Sequence, residues 1–255
     1  MFSLHKTLLC LLFLGCTVLC RAAPIINVSD FGAAPNSFTD ATTFVKNAIA
    51  KCKPDDQTTL LFPKGRYDFW PSEAEERNYY ISNTSTEVES PSKLKRIGLL
   101  FEGKRNIIIE GNGSLFIFHG KMITWAFDHC ADIKLQNIEI DFERPTMSEM
   151  TFQHVSDSSI TVLIHPDSKY AIINDTLQWY GEGWCMHNNF AILVNPVDST
   201  FTYNSWKPFH QAKASLLSNG IVEFKGNFKK QVYKKGTILT MRDPIRDHVG
   251  MLACL

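Results

Sequence analysis

Apolar positions change their period along this chain, and each change predicts a different element. Phe44, Val45, Ala48, Ile49 and Cys52 recur at helical spacing, with Lys46, Asn47 and Lys51 outside the stripe, which predicts one amphipathic helix. Thr39 or Asp40 is placed to cap it through a side-chain oxygen. Pro54, with Asp55 and Asp56 behind it, ends it, because proline has no amide to donate and disfavours helix before it. Leu60-Leu61-Phe62 is a short apolar run of strand type, closed by Pro63 and Gly65. A strand near Val28, a capped helix and a second strand ending in Pro-x-Gly-x-Tyr suit the open end of a solenoid. An uncovered first rung would expose apolar surface and strand edges. The competing reading of this stretch is a βαβ fragment of an α/β domain.

The middle of the chain repeats. Arg105–Gly113 matches Ala131–Asp141, with Ile107 on Ile133 and Ile109 on Leu135, an offset of 26 residues. That is close to one turn of a parallel β-helix, in which each rung adds short strands to separate sheets. Leu115–Phe118 and Thr124–Phe127 supply further strands between the copies, with Gly111, Gly113 and Gly120 at the corners. Asn106 and Asn137 stand where a solenoid turn uses a left-handed residue or a side-chain amide bond.

From Pro145 the period is lost. Apolar alternation over 151–155, 159–165, 191–194, 220–224 and 236–240 predicts separate strands, joined by turns at Asp157-Ser158-Ser159, Ser218-Asn219-Gly220 and Lys234-Lys235-Gly236. Residues 145–241 therefore read as an inserted antiparallel β-barrel-like domain, and 242–255 as re-entry into the coil. The expected division is a signal peptide over 1–23, cap and first rungs over 24–144, then these two segments. Trp179, Tyr180, Trp184, Trp206 and Phe209 cluster in the insert, either as its own core or as the wall of a sugar site.

The N-terminus sets the compartment. Lys6 precedes an apolar run, Thr7–Leu19, that is too short to cross a bilayer, and small residues follow near Ala22 and Ala23. This predicts a secretory signal and a secreted or periplasmic protein. Leu14-Gly15-Cys16 offers the weaker alternative of a lipoprotein site. No later segment is long and apolar enough to span a membrane. Of seven cysteines, Cys52, Cys130, Cys185 and Cys254 follow the signal; scattered as they are, they form no metal site and no dense disulfide framework, and read as buried thiols with room for one bridge. With 26 basic and 26 acidic residues, there is no footprint for nucleic acid. Asn27, Asn83, Asn112 and Asn174 each begin an Asn-x-Ser/Thr sequon.

Phe62–Pro71, Glu76–Thr84, Ile109–Ser114 with Phe116–Gly120, Asp128-His129-Cys130 and Ile140-Asp141 together closely resemble glycoside hydrolase family 110. These are exo-acting α-1,3-galactosidases that remove terminal galactose with inversion. The resemblance covers about residues 26–250. It implies an all-β fold, a right-handed parallel β-helix of pectin-lyase type with an N-terminal capping helix and an inserted barrel-like domain. It also implies a glycan partner with terminal α-galactose and no cofactor.

Inversion needs one carboxylic acid to protonate the leaving oxygen and one carboxylate to activate water, about 6.5–9.5 Å apart. The family's paired aspartates lie on later rungs, so the resemblance places the catalytic residues beyond Leu255 and predicts an incomplete, inactive fragment. Asp128, Asp132, Asp141, Glu143, Asp243 and Asp247 present no identifiable catalytic pair. Asp141 and Glu143, where the insert departs, and Trp184 and Trp206 within it, are the candidate substrate-lining residues. No metal ligand set stands out, and His119, His129 and His248 read as ordinary hydrogen-bonded histidines. The alternatives are a non-catalytic carbohydrate-binding module and another polysaccharide-degrading enzyme of the pectin-lyase fold. Oligomeric state is not legible.

Overall fold

In a computed structural model the described residues are 23–53, 57–79, 92–187, 191–203, 208–229, 233–242 and 252–254. The expected signal segment up to residue 22, the helix stop at Pro54–Asp56, Trp206, His248 and most of the re-entry segment lie outside them.

The helix forms where the stripe predicts, over Thr42–Lys51 (α1). Ala41 takes the N-cap position and has no side-chain bond to give, but Asp40 just before it serves the first turn, its Oδ1 accepting the Thr42 amide at 2.9 Å. Val45, Ala48, Ile49 and Cys52 are buried and join one core cluster with the strands, whereas Phe44 keeps 36 % of its surface exposed. Lys104 Nζ donates to the Cys52 carbonyl at 2.8 Å just past the helix end, a cation where the helix leaves carbonyls unpaired. Burial pushes the Cys52 thiol up to about 11.

Strands β1 (Ile25–Asn27), β2 (Thr58–Leu61), β3 (Arg66–Phe69), β6 (Arg105–Phe118) and β8 (Ala131–Phe142) pair in parallel as one sheet. β2 pairs with the first half of β6 and β3 with its second half. A second sheet holds β4 (Glu75–Asn78), β5 (Leu94–Glu102), β7 (Ile123–Asp128) and β19 (Leu252–Cys254), parallel except for β4. The offset read from sequence is the observed register: Ile107 lies on Ile133, Ile109 on Leu135, and in the second sheet Leu99 on Trp125.

Corners carry the step. Asn106 and Asp132, in register, both have left-handed backbones (φ 54° and 56°), as do Gly103 and His129 (φ 63° and 50°). Asn and Asp tolerate this region because their short side chains bond locally. The step then changes within the strand: β6 turns over Gly111-Asn112-Gly113, β8 turns over Asn137 (φ 57°), and the register slips between Glu110 and Ser114. Gly111 is needed for close approach, since a Cβ there would lie 2.3 Å from Ile138 Cγ1 and 2.5 Å from the Asn137 carbonyl oxygen. The Glu110 carboxylate holds both corners, accepting from the Asn112 amide at 2.7 Å and from Asn137 Nδ2 at 2.9 Å. These bonds, Asn137's foremost, hold its carboxyl below the usual range.

Inside, aromatic rings from successive strands pack across the register: Phe69 stacks on Phe118 at 4.9 Å, Phe116 stacks on Trp125 at 5.7 Å, and Phe62 lies tilted against Phe116 at 4.7 Å between centroids. Such rings bring large apolar area and a small geometric preference.

Between β8 and β19 the chain is antiparallel. Strands β9 (Met147–Val155), β10 (Ser159–Ile164), β14 (Ala191–Asn195), β15 (Thr200–Tyr203), β16 (Lys213–Ser218), β17 (Ile221–Lys225) and β18 (Ile238–Arg242) form a sheet in the order β15-β14-β18-β9-β10-β17-β16. A three-stranded sheet, β11 (Tyr170–Ile173), β12 (Thr176–Gly181) and β13 (Trp184–His187), packs against it through one shared core. Among the described residues, edge strands β15 and β16 do not pair with each other, so the sheet does not close into a barrel. The turn at Lys234–Gly236 joins no hairpin, because β18 pairs with β14 and β9 rather than with β17. Trp179, Trp184 and Phe209 belong to this core, which decides for three of the clustered aromatics.

Leu252 stands on Ala126. A 26-residue step would place residue 152 there, so the chain spends 100 further residues before it returns to the second parallel sheet.

Candidate functional site

The outer face of the first parallel sheet follows from strand alternation. Tyr67 and Phe69 of β3 point into the core, leaving Arg66 and Asp68 on the other face. Arg66 Nε donates to both Asp68 oxygens at 3.0 Å, and its Nη2 reaches Glu143 Oε2 at 3.0 Å. The bonds to Asp68 hold the Arg66 guanidinium still further above its ordinary value. Asp68 is only 1 % exposed and also faces His119 Nε2 at 2.9 Å. On its other side His119 Nδ1 lies 2.9 Å from Glu182 Oε1, and the Gly120 amide donates to Glu182 Oε2 at 2.9 Å. Trp70 stacks on the His119 ring, 3.8 Å between centroids and 11° from parallel.

Glu182 comes from the turn between β12 and β13, so the insert reaches back onto the sheet at this point. Arg144 braces the neck where the insert departs. Nearly buried, it donates to the Pro145 and Met147 carbonyls and to Ser148 Oγ, and lies 5.0 Å over the Trp184 ring. Burial pulls its guanidinium below the ordinary value, with the charge of Asp167 acting the other way.

Of the candidates, Glu143 joins the charged network through Arg66. Asp141 shares the outer face, but its Oδ1 accepts only the neighbouring Phe142 amide, at 2.8 Å, among the bonds described. Trp184 is 6 % exposed and sits in the core of the insert beneath Arg144. Trp206 lies outside the described residues.

Arg66, Asp68, His119 and Glu182 escaped the sequence reading. A signal existed for the first two: in Arg66-Tyr67-Asp68-Phe69 the polar residues alternate with core aromatics, which puts two opposite charges on one face. His119 and Glu182 are far apart in sequence and meet only because the insert folds back.

A second cluster lies at the end of the other sheet. Tyr79 Oη donates to Asp128 Oδ2 at 2.7 Å, and His129 Nδ1 lies against Asp128 Oδ1. The tyrosine bond, with the histidine second, holds the Asp128 carboxyl below its usual range. No group of three or more His, Cys, Asp or Glu among the described residues is arranged to hold a metal ion.

Comparison with known proteins places these features. The GLAA-B β-barrel domain I family matches residues 148–239. The α-1,3-galactosidase A of Bacteroides fragilis (strain ATCC 25285) is 41 % identical over 227 residues, which cover 89 % of this chain and 37 % of the relative. By sequence, the chain is similar over most of its length to proteins named α-1,3-galactosidase A and B. The α-1,3-galactosidase B of Bacteroides thetaiotaomicron is 35 % identical over 257 aligned positions, 96 % of this chain and 40 % of the relative. The α-1,3-galactosidase A of Shewanella woodyi is 34 % identical over 161 residues, 62 % of this chain and 26 % of the relative. The chain thus spans about two fifths of the length of the curated relatives that match most of it. The kinship inferred from the motifs at 62–141 is the one found.

Proposed function

We propose that this chain serves an inverting, exo-acting α-1,3-galactosidase, as the part that scaffolds and recognises terminal α-galactose, and does not itself turn the glycan over. Identity to enzymes named α-1,3-galactosidase over 89 % of the chain supports the substrate class. One geometric observation carries the division of labour: of the carboxylates described on the outer face, Asp68, Glu143 and Glu182 each already have a basic partner, which leaves Asp141, bonded to the Phe142 amide, without the second free carboxylate that inversion needs. A general acid must keep its proton near neutrality and a general base must face a water. Carboxylates locked to Arg66 and His119 suit hydroxyl recognition and positioning better than either role. Asp141 and Glu143 are the residues assigned to the sugar, with Trp184 supporting the neck behind them; Trp206 is proposed as substrate-lining on sequence alone.

The fold proposed with this function is a right-handed parallel β-helix, capped by α1, carrying an inserted barrel-like domain over 145–241 between rungs at 24–144 and 242–255. The shared 26-residue step of both parallel sheets and the return of Leu252 to Ala126 support it. Export through a signal at 1–23 is proposed on sequence alone. No helix among the described residues is long and apolar enough to cross a membrane.

Titrating the 255-residue chain with a terminal α-1,3-galactoside by calorimetry tests the reading. Saturable binding, weakened about tenfold or more by Glu143→Ala as for a lost charge-assisted hydrogen bond, is expected. Binding unaffected by Glu143→Ala moves the sugar off this face.

A further inference from the structure

The His119 contacts carry a proton requirement. A neutral imidazole has one N–H donor and one lone pair, whereas an ionised carboxylate only accepts. Here both ring nitrogens face carboxylate oxygens at 2.9 Å, Asp68 Oδ1 on one side and Glu182 Oε1 on the other. With a neutral ring and two ionised carboxylates, one contact would set lone pair against lone pair in a site where His119 is 5 % exposed. Both contacts close only with one further proton, whether it rests on the ring or on a carboxyl. Charged groups surround the ring. Asp68 and Glu182 face the ring directly, Arg66 stands behind Asp68, and Glu143 stands behind Arg66. With both ring nitrogens protonated this group holds two cations and three carboxylates. Trp70 covers one face of the ring, 3.8 Å away between centroids.

The two carboxylates belong to different parts of the chain. Asp68 is on β3 of the parallel sheet, and Glu182 is on the β12–β13 turn of the insert, where it also accepts the Gly120 amide. We propose that His119 and Glu182 are positioning residues forming a proton-dependent clamp, which fixes the insert against the outer face of the parallel sheet and loosens when that proton leaves. The inference goes beyond the galactoside reading and does not depend on it, since no sugar enters the argument. Its sign follows from the extra proton: the clamp is closed at lower pH and released as pH rises.

Hydrogen exchange at the Gly120 amide reads the clamp directly, because Glu182 is that amide's acceptor. Protection of the 255-residue chain, taken relative to the intrinsic rate at each pH, is followed from about pH 5 to about pH 9, a span that brackets an imidazole. A fall of about tenfold is expected as the charge-assisted contact is lost. Glu182→Gln is the decisive variant. Its amide NH₂ donates to a neutral His119 while its carbonyl still accepts Gly120, so protection is expected to persist at high pH and become flat. His119→Gln removes one of the two ring contacts and is expected to lower protection throughout. A flat profile in the unaltered chain overturns the clamp. So does a Glu182→Gln chain that keeps the original pH profile or is unprotected at every pH. Galactoside binding is measured separately, so loss of binding with the pH profile intact condemns the functional reading and spares the clamp.

Discussion

In the parallel region the neighbour of a side chain is found a whole turn away on the next strand, 26 residues on for Ile107 on Ile133 and Leu99 on Trp125 and 24 for Phe116 on Ile140. In the insert the neighbour lies across a short hairpin, Ile160 against Val155 and Val162 against Phe152. The two regions bury similar apolar rings, Phe69 on Phe118 in one and Phe209 on Phe224 in the other, but their register is fixed differently. A hairpin sets its own register through its turn; at Ser156–Ser159 the Ser156 amide donates to the Ser159 carbonyl at 2.8 Å. Stacked rungs have no such local device and depend on corners that repeat, which is where Asn106, Asp132 and Asn137 take left-handed backbones. Errors at a corner should therefore disturb distant strands, while errors in the insert should stay local.

The largest test of that difference uses the cores. Phe116→Ala removes a ring touching Phe62, Tyr67, Phe69 and Trp125 and is expected to cost about 3–5 kcal/mol in chemical denaturation. Phe224→Ala in the insert should cost a similar amount, yet hydrogen exchange should show the loss confined to β9–β18. Spread of that loss into β5–β8 would break the comparison. A smaller effect, about 1–3 kcal/mol, is expected for Gly111→Ala, whose new Cβ would meet Ile138 and the Asn137 carbonyl. Its exchange footprint should reach both β6 and β8.

Asn137→Ala follows at about 1 kcal/mol, since alanine is strained at φ 57° and the bonds to Glu110 are lost. Asn137→Gly should separate the two causes by restoring the backbone alone. The smallest effect is a pH dependence. The Glu110 carboxyl is held below its usual range, chiefly by Asn137. A depressed value contributes stability above the ordinary carboxylate range and loses it as pH falls through the folded value. The stability advantage of the unaltered chain over Glu110→Gln should therefore be full near neutrality and shrink as pH falls through the folded value of Glu110.

These contrasts also explain what the sequence disclosed. The 26-residue offset, the helix stripe and the Asp40 bond to its first turn were legible because each is a local or strictly periodic pattern of residue types. Strands β11–β13, β15 and β16 were not anticipated; Lys213–Ser218 places exposed Leu216 and Leu217 at a sheet edge, so no clean alternation marks it. The candidate Glu143 entered the site through Arg66, a partner not foreseen. Trp184, chosen as a sugar wall, is instead spent on the core and the Arg144 neck. His119 looked ordinary because its importance depends on Glu182, which reaches it only through the tertiary fold.

The central claim is that this chain recognises terminal α-galactose on the outer face of its parallel sheet without cleaving it. An NMR titration of the 255-residue chain with a terminal α-1,3-galactoside, with free galactose followed in the same sample, tests it most directly. The account predicts saturable shifts at the amides of Arg66, His119, Asp141 and Glu143 and no galactose released. Release of galactose with inverted configuration, or saturable shifts confined to the edge strands of the insert, would contradict it.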